Sequence, residues 1–149
     1  MDAWRAAGKP LNGREFLMRF LSIYKTAETG VPPTAEYMEK MQKLVEEGMK
    51  KGWLLATEGC LPSALGARVR ATGGNILVTD GPFLETKEVV GGFALLEASS
   101  KEEAIRLTRE FLKIAGDGEC ELRQIFTPSD APGDCAGAHG QLVEQFAQR

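Results

Sequence analysis

The stretch Glu15–Lys25, EFLMRFLSIYK, constrains this chain more than any other, because as a strand it is apolar on both faces. Period-2 alternation turns Phe16, Met18, Phe20 and Tyr24 one way and Leu17, Arg19, Leu21 and Ile23 the other. A strand of that kind needs cover on both sides of its sheet. One side can be covered by the chain's own helices. The other requires something more.

The helices that could provide the first cover are legible. After GVPP (Gly30–Pro33), Thr34 is placed to cap a helix that runs to Gly52. Tyr37, Met38, Met41, Leu44, Val45 and Met49 fall on one side of it at helical spacing. The methionines read better as core filler than as a binding groove. A second helix follows Ser100, where Glu103 three residues on completes a capping box. Its expected buried stripe is Ala104, Ile105, Thr108, Phe111, Leu112 and Ala115, and Gly116 stops it.

Strands fill the intervals. Trp53–Cys60 (WLLATEGC) follows the first helix at once. ARVRAT and NILVTD, joined by Gly73-Gly74, form a β-hairpin whose two-residue turn favours the positive φ that glycine supplies. GGFALLEA precedes the second helix and CELRQIF (Cys120–Phe126) follows it. The resulting order is βαβ, hairpin, βαβ. It predicts an α+β, ferredoxin-like βαββαβ fold with an inserted β-hairpin. The sheet is antiparallel, with two helices on one face.

The opposite face then has no cover from the same chain. Arg19 is unsuited to lie under helices, so its face, with Leu17, Leu21 and Ile23, is the open one. Burying such side chains is worth ~1.5–3 kcal/mol each. A homodimer through the open sheet face is therefore expected, with a small-molecule pocket between the sheets or at their rim.

Composition narrows the class of protein. At 149 residues one domain is the simplest reading, over 14–127. A flexible leader precedes it over 1–13. A loop-rich tail follows over 128–149, where Leu142, Val143 and Phe146 have the spacing of a short helix. A net charge of -3, with no separate basic run, argues against direct binding of nucleic acid. No stretch reaches the ~18 apolar residues of a membrane span, and no signal-peptide core stands at the N-terminus. Three scattered cysteines give neither a disulfide framework nor metal-ligand spacing, so a cytoplasmic location is expected. No phosphate loop, dinucleotide fingerprint or nucleophile elbow is present, and neither cofactor nor metal is expected.

The most identifying string is TDGPFLETKEVVGGF, Thr79–Phe93. Thr79-Asp80-Gly81-Pro82-Phe83, then Glu85, Lys87 and Glu88, then Gly91-Gly92-Phe93, closely resemble the signature of the YCII-related, or DGPF, domain family. Its members typically read TDGPFAETKE followed by a GG-aromatic strand. The resemblance implies a dimeric α+β barrel of ferredoxin-like subunits. It also implies chemistry of a limited kind: a few relatives are lyases or dehydrochlorinases of hydroxylated aromatic compounds, and the fold resembles that of muconolactone isomerases. Many such proteins are encoded beside, or fused to, alternative sigma factors. Some relatives were assigned a His-Asp pair in a cleft. Here the single histidine, His139, lies in the tail outside the matched region.

Candidate site residues each carry two readings. Asp80 is the candidate acid-base group, or else the anchor of an Asx-type turn. Lys87 binds an anion as a point charge, or belongs with Glu85 and Glu88 to a solvated loop. Arg19 holds an anionic ligand, or pairs with Glu58 or Glu97; the salt bridge is the preferred alternative. Tyr24 and Trp53 wall a pocket for a planar ligand, or serve as core aromatics. Gly91-Gly92 admits a ligand edge, or marks a bulge and close packing; the second is preferred. Cys60 lacks a histidine to activate it and reads as a small buried residue. The non-enzymatic alternative is an interaction module linked to transcription through a sigma factor, with Leu142–Phe146 a candidate contact.

Overall fold

A computed structural model describes residues 17–127. The leader, the tail, His139 and the Leu142–Phe146 segment lie outside the described residues. The elements are β1 (Met18–Thr26), α1 (Ala35–Lys51), β2 (Leu54–Gly59), β3 (Ala67–Thr72), β4 (Asn75–Asp80), β5 (Val89–Ala98), α2 (Lys101–Ala115) and β6 (Glu119–Gln124). A 3-10 turn at Ser63–Leu65 joins β2 to β3. The four-stranded sheet has the order β2-β5-β1-β6, with every neighbouring pair antiparallel. β3 and β4 form a separate two-stranded ribbon. This is the ferredoxin-like α+β plan with its inserted hairpin.

The helix boundaries follow local chemistry. The Thr34 hydroxyl accepts the Tyr37 N–H, and Gly52 closes α1 in the left-handed region at φ 83°. Ser100 accepts the Glu103 N–H at the start of α2. The Glu103 carboxylate reaches back to the N–H and hydroxyl of Ser99, one residue earlier than the usual capping box closes.

α1 and α2 lie together on one face of the sheet. The core there is Phe20, Leu54, Leu96, Ala98 and Ala104, with Met18, Val45, Trp53 and Leu122 packed around it. Phe20 is 3% exposed, whereas Arg19, its neighbour in the chain, is exposed. The alternation along β1 thus assigns its two faces as the sequence predicts.

Three details differ from the sequence-based expectation. Met38 and Met49 are half exposed, because the buried side of α1 runs through Tyr37, Met41, Leu44, Val45 and Gly48 and the two methionines flank it. Leu107, omitted from the expected stripe, is buried on α2. Cys60 is exposed, just past the end of the edge strand β2 at Gly59, where its N–H still donates to the Gly91 carbonyl.

Candidate functional site

The DGPF string builds a knot at the root of the ribbon. The Ser63 N–H and hydroxyl both donate to the Glu28 carboxylate, at 2.5 and 2.6 Å. The same hydroxyl accepts the Phe83 N–H at 3.1 Å. The two bonds from Ser63 hold Glu28 below the usual carboxylate range, the side-chain bond contributing most. Gly81 donates to the Gly66 carbonyl and precedes a cis bond to Pro82. A Cβ on Gly81 would stand 1.7 Å from the Ser63 carbonyl oxygen, so glycine is required by close approach. Arg68 lies 3.9 Å from the centre of the Phe83 ring and pairs with Glu85, while Thr86 closes back on the Phe83 carbonyl. Most of the signature is therefore structural. It ties the ribbon root to the 3-10 turn and to the β1–α1 loop.

The sequence candidates fall in three places. Arg19 and Glu58 stand on the open face of the sheet. Arg19 is directly across from Glu97, and Glu58 is across from Phe93, which is across from Ile23. Tyr24 and Trp53 stand on the helix side. The Tyr24 ring meets Phe111 edge-on at 5.2 Å and its hydroxyl donates to the Asp117 carbonyl. Trp53 packs on the core and against Gly48, where a Cβ would come within 2.7 Å of the indole. Asp80 ends β4, exposed and opposite Ala67, and Lys87 is exposed in the loop that follows. Within one chain these six side chains do not share a cavity.

The intramolecular salt bridge expected for Arg19 is not formed: no ion pair reaches it among the described residues, although Glu97 is its cross-strand neighbour. An exposed guanidinium can be solvated and needs no such partner in the free chain. Further along the same face, Lys25 pairs with Glu121 at 2.8 Å, and Glu121 also accepts from Arg123 at 3.3 Å. The Glu121 hydrogen bond raises the Lys25 pKa, and Lys25 in turn depresses that of Glu121. The centre of the face is apolar: Leu21, Ile23, Phe93 and Leu95, with Val90 across from Lys25.

The second glycine pair is structural as expected. β5 bulges at Gly91 to change register, and a Cβ on Gly92 would stand 2.7 Å from the Glu58 carbonyl oxygen. A recess of about 190 Å³ lies on the ribbon, lined by Arg68, Arg70, Leu77, Thr79 and Glu85. Among the described residues no cluster of three His, Cys, Asp or Glu is placed to hold a metal ion, and no helix is long and apolar enough to cross a membrane. Glu28 and Ser63 escaped sequence reasoning. They are 35 residues apart, and nothing in either local pattern announces the other.

Fold and site together define a ferredoxin-like α+β domain carrying a signature loop at the root of an inserted ribbon. The YCII-related domain matches residues 18–127, and the chain belongs to that family. It is also 29% identical over 98 residues to an uncharacterized protein of Rhizobium meliloti (strain 1021), covering 64% of this chain and 79% of that one.

Proposed function

We propose that the protein is a cytoplasmic homodimer, joined through the open face of its four-stranded sheet, that binds a small molecule where the two faces meet. The observation that carries this reading is Arg19: a guanidinium beside an apolar surface, without an ion-pair partner among the described residues. A two-fold axis would bring Arg19 of one copy toward the carboxylates of another, or leave it facing an anionic ligand in a drier cleft. Glu58 and Glu97 stand on the same face and complete a polar rim around the apolar centre. Any catalysis would be cofactor-free acid-base chemistry of the lyase or isomerase type on a small aromatic or lactone-like compound. Asp80 would be the acid-base group, and Arg19 or Lys87 would stabilise developing negative charge. That chemistry rests on family analogy.

The reading is tested by thermal-shift screening of small aromatic carboxylates and lactones against wild type, Arg19→Ala and Asp80→Asn. At least one compound should stabilise wild type and fail to stabilise Arg19→Ala. If it is turned over, Asp80→Asn should bind it without turnover. No shift with any compound would remove the ligand-binding reading.

One observation favours the second reading, an interaction module linked to transcription through a sigma factor. The ribbon presents an exposed apolar face of Val69, Ile76 and Val78, as such a module would. Co-purification with a sigma factor that survives Arg19→Ala and is lost on Val78→Lys would support it over the first.

A further inference from the structure

The ribbon is too bare to stand alone. Its two strands pair in register, Val69 with Val78 and Ala71 with Ile76 on one face, Arg68 with Thr79 and Arg70 with Leu77 on the other. Every residue of β4 is exposed; Val69, Ile76 and Val78 are 69%, 66% and 60% exposed. A two-stranded hairpin without a packed face is marginally stable in water. The two faces are not equivalent. The Arg68 face is occupied at its root by Phe83 and Glu85 of the same chain. The Val69 face is bare, and Asp80, opposite Ala67, is the one charged side chain that the two strands place on it.

We infer that the Val69–Val78 face of the ribbon docks on a second copy of this chain, alongside the open sheet face. The inference rests on the dimer proposed above and extends its interface to a new element. Three arguments select a second copy as the occupant. The first is chemical: the ribbon face is apolar like the open sheet face, whose centre is Leu21, Ile23, Phe93 and Leu95, so a partner that covers one is suited to cover the other.

The second is charge. The ribbon face carries one carboxylate, Asp80, and the open sheet face carries one guanidinium without an ion-pair partner among the described residues, Arg19. The third is size. Four strands of six to ten residues cover roughly 500 Å² in projection, short of the ~800 Å² per partner of a stable interface. The two-stranded ribbon, with strands of six residues, enlarges that surface by roughly two-fifths. At ~20 Å it is also long enough to cross the width of a four-stranded sheet.

The test is sedimentation equilibrium of the full chain with four variants, together with hydrogen exchange of residues 67–80. Val78→Lys and Ile76→Lys place a charge on the docking face. Thr79→Lys places the same charge on the opposite face of the ribbon. Leu21→Asp strikes the open sheet. The two docking-face variants should weaken the dimer at least tenfold, and Thr79→Lys should change it less than threefold. The ribbon amides should exchange more slowly at dimeric concentrations than on dilution.

If Leu21→Asp breaks the dimer while Val78→Lys and Ile76→Lys leave it intact, the ribbon inference falls and the open-face dimer stands. If Thr79→Lys weakens the dimer as much as Val78→Lys, the effect is general charge repulsion and the inference falls. Ribbon exchange that is equally fast in both states overturns it as well. A wild type that stays monomeric at every concentration removes both.

Discussion

The α-carbon of Gly81 lies against the carbonyl of Ser63, so close that a Cβ would stand 1.7 Å from the oxygen. That contact, between residues 18 apart in the chain, leaves no room for a side chain at the centre of the signature. Gly81→Ala should force the ribbon root away from the 3-10 turn and cost ~1–3 kcal/mol, the usual range for overpacking. Urea denaturation checks it. A variant as stable as wild type would show that the turn yields without cost.

Ser63→Ala should destabilise by a similar amount. It removes the hydroxyl that donates to Glu28 and leaves the Phe83 N–H without its partner. Losing one partner of such a bond costs ~1–3 kcal/mol where the group left behind is kept from water. Ser63→Thr, which keeps the hydroxyl, should recover part of the loss if the bond rather than the space is what matters.

The Glu28 carboxylate adds a pH dependence to the same knot. Its pKa is depressed in the folded chain, chiefly by the Ser63 hydroxyl and then by the Ser63 N–H. A depressed carboxylate stabilises the fold fully above its unfolded pKa, ~4.3 for glutamate. That contribution fades as pH falls below this value and is gone below the folded one. The stability gap between wild type and Glu28→Gln should therefore narrow between pH ~6 and pH ~3. A gap that stays constant over that interval would contradict the assignment.

Phe20 and Arg19 are chain neighbours that face opposite ways. Phe20→Ala should cost ~3–5 kcal/mol of stability, because it empties a site beneath both helices. Arg19→Ala should move the stability of the isolated chain by less than ~0.5 kcal/mol, as for an exposed side chain without a fixed partner. Denaturation at low protein concentration, where association does not contribute, separates the two.

The face assignment behind that contrast was legible because strand periodicity is strict: even-numbered residues of β1 go under the helices and odd-numbered ones face away. The ribbon was equally plain, since ARVRAT and NILVTD are two strand-like segments of six residues on either side of Gly73-Gly74, both at positive φ. Helix burial was less legible. A stripe of apolar residues has edges, and Met38 and Met49 lie on them.

The candidate site was the least legible part. Parity already separates Tyr24 from Arg19, but the side on which Glu58 falls depends on a register shift between Leu54 and Ala56. The Glu28–Ser63–Phe83 knot joins three loops that share no period, so no pattern in the sequence could bring them together. The signature loop names the family, and its Gly81, Phe83, Glu85 and Thr86 are occupied in holding the ribbon. Among the charged residues of the string, Asp80 is exposed on the bare ribbon face, and Lys87 and Glu88 are exposed in the loop that follows β4.

The central claim is that the open sheet face joins two copies of the chain. Its most direct test is the solution mass of wild type and of Leu21→Asp by light scattering after size exclusion, with circular dichroism to verify folding. Wild type should run at twice the 16.2 kDa of one chain, and folded Leu21→Asp at once that mass. A wild type at 16.2 kDa, or a folded Leu21→Asp that remains a dimer, would contradict it.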